Sequence, residues 1–367
     1  MQIAFYIDEM NLRGVANSTF KYAFYNEKIL NNKSIIFYNK KNHRNLRKVI
    51  TKFKKNFKIF GVNNFENIDL YKKKLKIDYI YTQKSGEKDD WVSNNIKTLI
   101  HCVYPQKLSE IHGHRYTYIS QWLSKNFTNN KVPFLQYMIE TNNTKKNLRQ
   151  KLKIKKKQIV FGCHGGESSF DLKFTHDALM EVVKKRKDIV FIFLNINRFA
   201  SHPQIKFLRG SVDEVYKKKF LNTCDAMIYG RSLGESFGLA CGEFAILGKK
   251  IISYKFNRHR SHINSLPNQM YEEYSSKNNL IKILENFKRE KYIKFKKNKN
   301  KYLQTKPQLV MKKFKKVFLS SDYFLKPNFI DKLRNYLSFI IMGYFYIRHK
   351  IYQIYYRFFE SKNIFLK

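Results

Sequence analysis

Short runs of apolar, β-branched and aromatic residues recur along the first 254 positions, with longer amphipathic stretches between several of them. No other feature constrains the fold of this chain as strongly. Strands are predicted near residues 2–8, 34–38, 57–61, 78–82, 98–104, 115–120, 158–162, 190–195, 226–229 and 250–254. Strands alternating with amphipathic helices give parallel sheets covered by helices on both faces, an α/β architecture. The polar stretch Thr141-Asn142-Asn143-Thr144-Lys145-Lys146 reads as a linker, and 367 residues allow a full core on either side of it. The expected organisation is a domain over 1–145, a second over 146–320 and a basic, aromatic helical tail over 321–367. No internal repeat of fixed period is present.

The most distinctive local pattern is Gly234-Glu235-Ser236-Phe237-Gly238-Leu239-Ala240-Cys241-Gly242-Glu243. If Gly238 opens a helix, the step between the two glutamates covers about 12 Å of rise and returns them to within roughly 80° of each other. First-turn N–H groups would then lie between the carboxylates and offer donors to a diphosphate. The pair alone fits equally well an amphipathic core helix with two outward glutamates. The context favours a site. Residues 220–231 read as a helix end and a buried strand that delivers Arg231 and Glu235 to a strand's carboxyl edge, where open α/β sheets bind ligands. Residues 158–162 form a strand leading through Cys163 and His164 into Gly165-Gly166.

This constellation resembles the Glu-x7-Glu signature of retaining GT-B glycosyltransferases, those similar to glycosyltransferase family 4, over roughly residues 1–290. The resemblance implies two Rossmann-like domains facing across a cleft, and transfer of a sugar from a nucleotide-sugar such as a UDP- or GDP-sugar to a hydroxyl of a glycan or lipid-linked acceptor, with retention. The leaving diphosphate helps to take the acceptor's proton, so no separate base is needed. Glu235 would hold donor-sugar hydroxyls, Glu243 the ribose, and Arg231 with Lys173 the departing charge. Ser236, Phe237 and Gly238 would line the donor loop, Gly165 and Gly166 would face the phosphates, and Gly14 would face the gap between domains. His101 falls where the family often places a histidine near the donor sugar, although a lone strand histidine more often serves structure. Cys163 stands where relatives tend to carry an arginine. There is no Asp-x-Asp pair, since Asp89 and Asp90 are adjacent, and neither a metal nor another cofactor is expected.

Charge offers a rival. The formal balance is +44, from 72 basic and 28 acidic residues, which points to nucleic acid or an anionic membrane surface. The lysines are spread over nearly every segment, with clusters at 72–74, 155–157 and 296–301, and no nucleic-acid-binding module accompanies them. The alternatives are therefore a charge-driven nucleic-acid binder or a catalytically inactive glycan binder. Nucleic acid is the less favoured partner. Cys102, Cys163, Cys224 and Cys241 are scattered without metal-ligand spacing, which suits a reducing cytoplasm. The N-terminal residues show no signal-peptide pattern, and no apolar run reaches membrane-spanning length. From Asn328 onward the chain is basic and aromatic. That tail fits either an interfacial helix, placing the protein peripherally on the inner face of a membrane, or a helix packing back on the first domain.

Overall fold

The computed structural model describes residues 1–140, 144–289, 300–320 and 327–361. Part of the expected linker, Thr141–Asn143, lies outside the described residues, as do 296–299 of the third lysine cluster and two pieces of the tail. By contacts the chain divides into two compact units, Met1–Glu140 with Gln304–Phe339 and Thr141–Leu303 with Ile340–Lys367.

In the first unit, β1 (Gln2–Ile7), β2 (Lys33–Asn39), β3 (Lys58–Val62), β4 (Tyr79–Lys84), β5 (Lys97–Cys102) and β6 (Arg115–Tyr118) form a sheet of order β3-β2-β1-β4-β5-β6. Every neighbouring pair is parallel. Helices α1 (Gly14–Lys28), α2 (Arg47–Lys54), the single turn α3 (Lys72–Leu75) and α4 (Gln121–Thr128) connect or follow these strands. Burial explains why the strand runs read so clearly. Ile3, Ala4 and Phe5 have no exposed surface, because a parallel sheet is covered on both faces.

The second unit repeats the plan. Strands β7 (Ile159–His164), β8 (Ile189–Leu194), β9 (Ile205–Leu208), β10 (Ala226–Tyr229), β12 (Ile251–Tyr254) and β14 (Tyr271–Tyr274) form a parallel sheet of order β14-β12-β10-β7-β8-β9. The two-residue strands β11 (Gly234–Glu235) and β13 (His259–Arg260) pair beside it. Its helices are α5 (Lys173–Lys185), α6 (Glu214–Thr223), α7 (Leu239–Ala245), α8 (Ser261–Asn264) and α9 (Lys277–Glu285). Asp213 and Ser276 cap α6 and α9 by accepting from Val215 N and Asn279 N.

All ten expected strands are present, shifted by a residue or two at their ends. The expectation omits β9 and β14, the two edges of the second sheet, and the two-residue strands β11 and β13. Residues 304–320, which the sequence reading puts in the second domain, group with the first unit, where α10 (Pro307–Phe314) packs Phe314 on Tyr22 and Tyr81.

Helix α11 (Phe329–Tyr355) anchors the described part of the tail. In its first third, Asn335 Nδ2 donates to the carbonyls of Gln106 (3.0 Å) and Phe127 (2.9 Å), and Ser338 Oγ donates to Asn126 O at 2.7 Å. In its last third, the Tyr352 hydroxyl accepts from Lys277 N at 2.7 Å while its ring meets Phe174 edge-on at 4.9 Å. No helix among the described residues is long and apolar enough to cross a membrane.

Candidate active site

The chain of the second sheet starts at β7, proceeds to β8 and β9 on one side, then crosses back to place β10 on the other side of β7. The carboxyl ends of β7 and β10 therefore form a topological switch point, where loops diverge and leave a crevice for ligands. His164 ends β7 and Tyr229 ends β10. The loop after β10 carries Arg231, β11 carries Glu235, and α7 carries Glu243.

Two glycines shape this segment. Gly234 has φ +73°, and a Cβ there would lie 2.1 Å from the His259 carbonyl oxygen. Gly238 caps α7 with φ +87°, and a Cβ would sit 2.8 Å from the His262 Cβ. A side chain at either position meets both left-handed strain and a collision. The loop is also tied from outside. Asp171 accepts from Ser232 N (2.7 Å) and Ser232 Oγ (2.8 Å), Asn257 Nδ2 donates to Arg231 O, and the Tyr302 hydroxyl donates to Phe237 O at 2.6 Å.

Glu235 accepts from the Tyr229 hydroxyl at 2.8 Å and pairs with Arg231 Nη1 at 3.0 Å, with a quarter of its side chain exposed. Burial, then the Glu235 charge, pushes the Tyr229 phenol well above its ordinary value, so it stays a donor. Glu235 is thus an accessible carboxylate of fixed orientation. Glu243 is 5% exposed. Its Oε1 accepts from Lys217 Nζ at 2.8 Å, and its Oε2 lies 2.9 Å from His164 Nε2, an ion-pair distance without hydrogen-bond alignment. Burial alone would raise this carboxyl; Lys217, then His164, override it and hold it well below the usual range. Burial pulls the Lys217 ammonium down, but Glu243 and Glu214 outweigh it and leave it above its ordinary value. Glu243 is therefore ionised and acceptor-only at neutral pH.

The structure brings together Arg231, Glu235, Ser236, Phe237, Gly238 and Glu243 on one loop and helix, in the unit that also carries Gly165, Gly166 and Lys173. The expected helical placement of the two glutamates does not hold. Glu235 lies on β11, not on the helix, so the two carboxylates are placed by a strand pair and a helix rather than by helical phase. Gly165 and Gly166 follow β7, where Asn195 Nδ2 donates to Gly165 O at 2.7 Å. Lys173 begins α5 and is exposed. Arg231 pairs with Glu235 through Nη1 and keeps about a quarter of its side chain exposed. Cys163 lies inside β7 with 1% exposure, so the position that resembles a ligand-facing arginine is a core position here. In the first unit, Gly14 opens α1, and His101 has no exposed surface. Its Nδ1 faces the Tyr81 hydroxyl at 2.6 Å and its Nε2 the Leu135 carbonyl at 2.8 Å. Burial lowers its pKa to about 3, the setting of a neutral core histidine. Asp89, next to Asp90, forms an ion pair with Lys84.

Sequence reasoning did not single out His164, Lys217, Tyr229 or Asp171. His164 carries a readable signal, since it ends a strand just before a glycine pair. Lys217 does not stand out in a chain with lysine everywhere.

No family model and no curated protein matches the chain. Solved structures do. A glycosyltransferase from Rickettsia africae is 15% identical with a TM-score of 0.61, over 87% of this chain and 99% of that one. HepE from Anabaena in complex with UDP-glucose is 11% identical with a TM-score of 0.57, over 94% of this chain and 99% of that one. The fold is GT-B. A Listeria monocytogenes protein designated a UDP-N-acetylglucosamine 2-epimerase is similar as well, 11% identical with a TM-score of 0.53, over 89% of this chain and 99% of that one. The GT-B fold is thus shared by chains of more than one designated activity, and the activity of this one has to be argued from its site.

Proposed function

We propose that the protein is a glycosyltransferase that moves a sugar from a nucleotide-sugar, a UDP- or GDP-sugar, to a hydroxyl of a glycan or lipid-linked acceptor with retention of anomeric configuration. The observation that carries this reading is the pair of carboxylates with contrasting surroundings at the switch point. Glu235 is accessible and oriented by Tyr229 and Arg231. Glu243 is enclosed and kept ionised by Lys217.

Donor-sugar hydroxyls donate to Glu235, next to the reacting carbon. Ribose hydroxyls donate to lone pairs of Glu243 beyond those used by Lys217. Arg231, fixed by Glu235 and Asn257, and Lys173 at the start of α5 supply positive charge as the diphosphate leaves. Ser236, Phe237 and Gly238, with Gly165 and Gly166, line the donor pocket. In a retaining transfer the departing diphosphate receives the acceptor's proton, so the chain need supply no further base. His101, neutral and enclosed, contributes to the first unit's core instead of the chemistry.

The experiment is release of UDP or GDP from a panel of nucleotide-sugars, with wild type and Glu235→Ala compared. Turnover of at least one donor, lost in the variant, supports a transferase. Donor binding without turnover supports the inactive glycan-binding reading, and conversion of the donor sugar to its 2-epimer with no nucleotide release would point to an epimerase instead.

A further inference from the structure

Helix α11 carries an outward apolar face. Its packed side mixes polar and apolar groups: Asp331, Asn335 and His349 are 1%, 7% and 5% exposed, Met342 is 5% exposed, and Phe339 and Tyr352 pack on Phe127 and Phe174. Most of its remaining apolar residues face outward. Leu333, Leu337, Ile340, Tyr344, Ile347 and Ile351 follow one another at steps of four and three residues, and each is between 46% and 57% exposed. At about 100° per residue they share one face, and exposed Ile330, Tyr336, Ile341 and Ile354 widen it to roughly 140°. A contiguous apolar surface along 27 residues of helix is far more than a monomeric protein ordinarily leaves in water.

Two occupants fit such a stripe, the same helix of a second copy or a lipid surface, and the charges decide between them. The exposed charged residues of α11 are Lys332, Arg334, Arg348 and Lys350, all basic, and they border the apolar face on both sides. The helix's own acid, Asp331, is turned inward and held by Lys131. Two copies would bring like charges together along both edges, where a paired helix needs opposite ones. The stripe is also wider than the narrow seam such pairing uses. An anionic bilayer satisfies both features: its interface takes up the Ile, Leu and Tyr side chains, and long basic side chains at the borders reach its phosphates.

We propose that the outer face of α11 is a docking surface for an anionic membrane, on which the helix lies in the plane of the interface. The proposal is independent of the transferase reading and holds or fails without any assay of sugar transfer. Truncation is a poor test, because Met342 and Tyr356 are buried. The full chain is therefore sedimented with vesicles of phosphatidylcholine containing phosphatidylserine, and with phosphatidylcholine alone, at low and high salt. Binding is expected only with phosphatidylserine, weakened by salt. The exposed pairs Ile340→Gln/Ile347→Gln and Arg348→Gln/Lys350→Gln are each expected to weaken it roughly tenfold or more, with the melting temperature recording that the fold persists. Ile347→Trp, which keeps the face apolar, is expected to shift its emission to the blue on the same vesicles. The proposal is overturned if the intact chain leaves no vesicle-bound fraction at low salt, if the isoleucine pair does not alter binding, or if Ile347→Trp emission is unmoved. A lipid-free dimer that the isoleucine pair dissociates, with no vesicle binding, would assign the face to a second copy.

Discussion

Glu243, the residue proposed to hold the ribose, is a buried charge. Its carboxylate has almost no exposed surface, and the ion pair with Lys217 offsets the cost of desolvation. The pH dependence follows. The folded carboxyl is held below its unfolded value, so its stabilising contribution is complete above the unfolded pKa, about 4.3, and is lost as pH falls through the lower folded value. Melting curves across acid pH should therefore fall more steeply for wild type than for Glu243→Gln; parallel curves would contradict the ion pair. Cys163 yields a second expectation. Because it is buried in β7, Cys163→Arg should place an unpaired charge in the core and destabilise by several kcal/mol, visible as a lower urea midpoint. Restored or increased activity with unchanged stability would mean that the position faces the donor after all. At this scale the sequence was partly legible. The residue types at 231, 235 and 243 point to the chemistry, but which of them face solvent depends on β11 and on Lys217, which no spacing rule reveals.

Among the elements, the contrast between found and missed strands of the two large sheets has one cause. The ten predicted strands are apolar runs that read clearly without their neighbours. β9 and β14 border the second sheet, and Tyr271-Glu272-Glu273-Tyr274 has only Tyr274 buried, so the run lacks the continuous apolar signal of a central strand. The α7 cap is likewise set by backbone geometry. Gly238→Ala should cost about 1–2 kcal/mol from the left-handed φ alone, more with the His262 contact, and should lower nucleotide affinity by moving Glu243; unchanged stability and affinity would show that the loop has room. The polar contacts on the packed side of α11 are testable in the first unit. Asn335→Ala removes the donor to the Phe127 carbonyl, at about 1–3 kcal/mol if it stays buried, and leaves the Gln106 carbonyl only the long contact from the Tyr118 hydroxyl at 3.5 Å. A melting temperature equal to wild type would mean that water replaces it.

For the whole molecule, the formal charge of +44 dominates solution behaviour. Self-repulsion among exposed lysines is screened by salt, so thermal stability should rise with ionic strength while vesicle binding falls. Two parallel sheets were legible from the sequence because each is written in buried strands. The return of residues 304–339 to the first unit was not, since neither the apolar spacing of α10 nor that of α11 says which core it joins. The central claim is that the switch point between β7 and β10 holds a nucleotide. Calorimetric titration of UDP and GDP into wild type, Glu235→Ala and Glu243→Ala tests it most directly. The account predicts that wild type binds one of the two nucleotides, that Glu235→Ala binds it nearly as well, and that Glu243→Ala loses about 1.5–3 kcal/mol, roughly 10- to 150-fold in Kd. Equal affinity for wild type and Glu243→Ala, or binding of neither nucleotide by wild type, would contradict it.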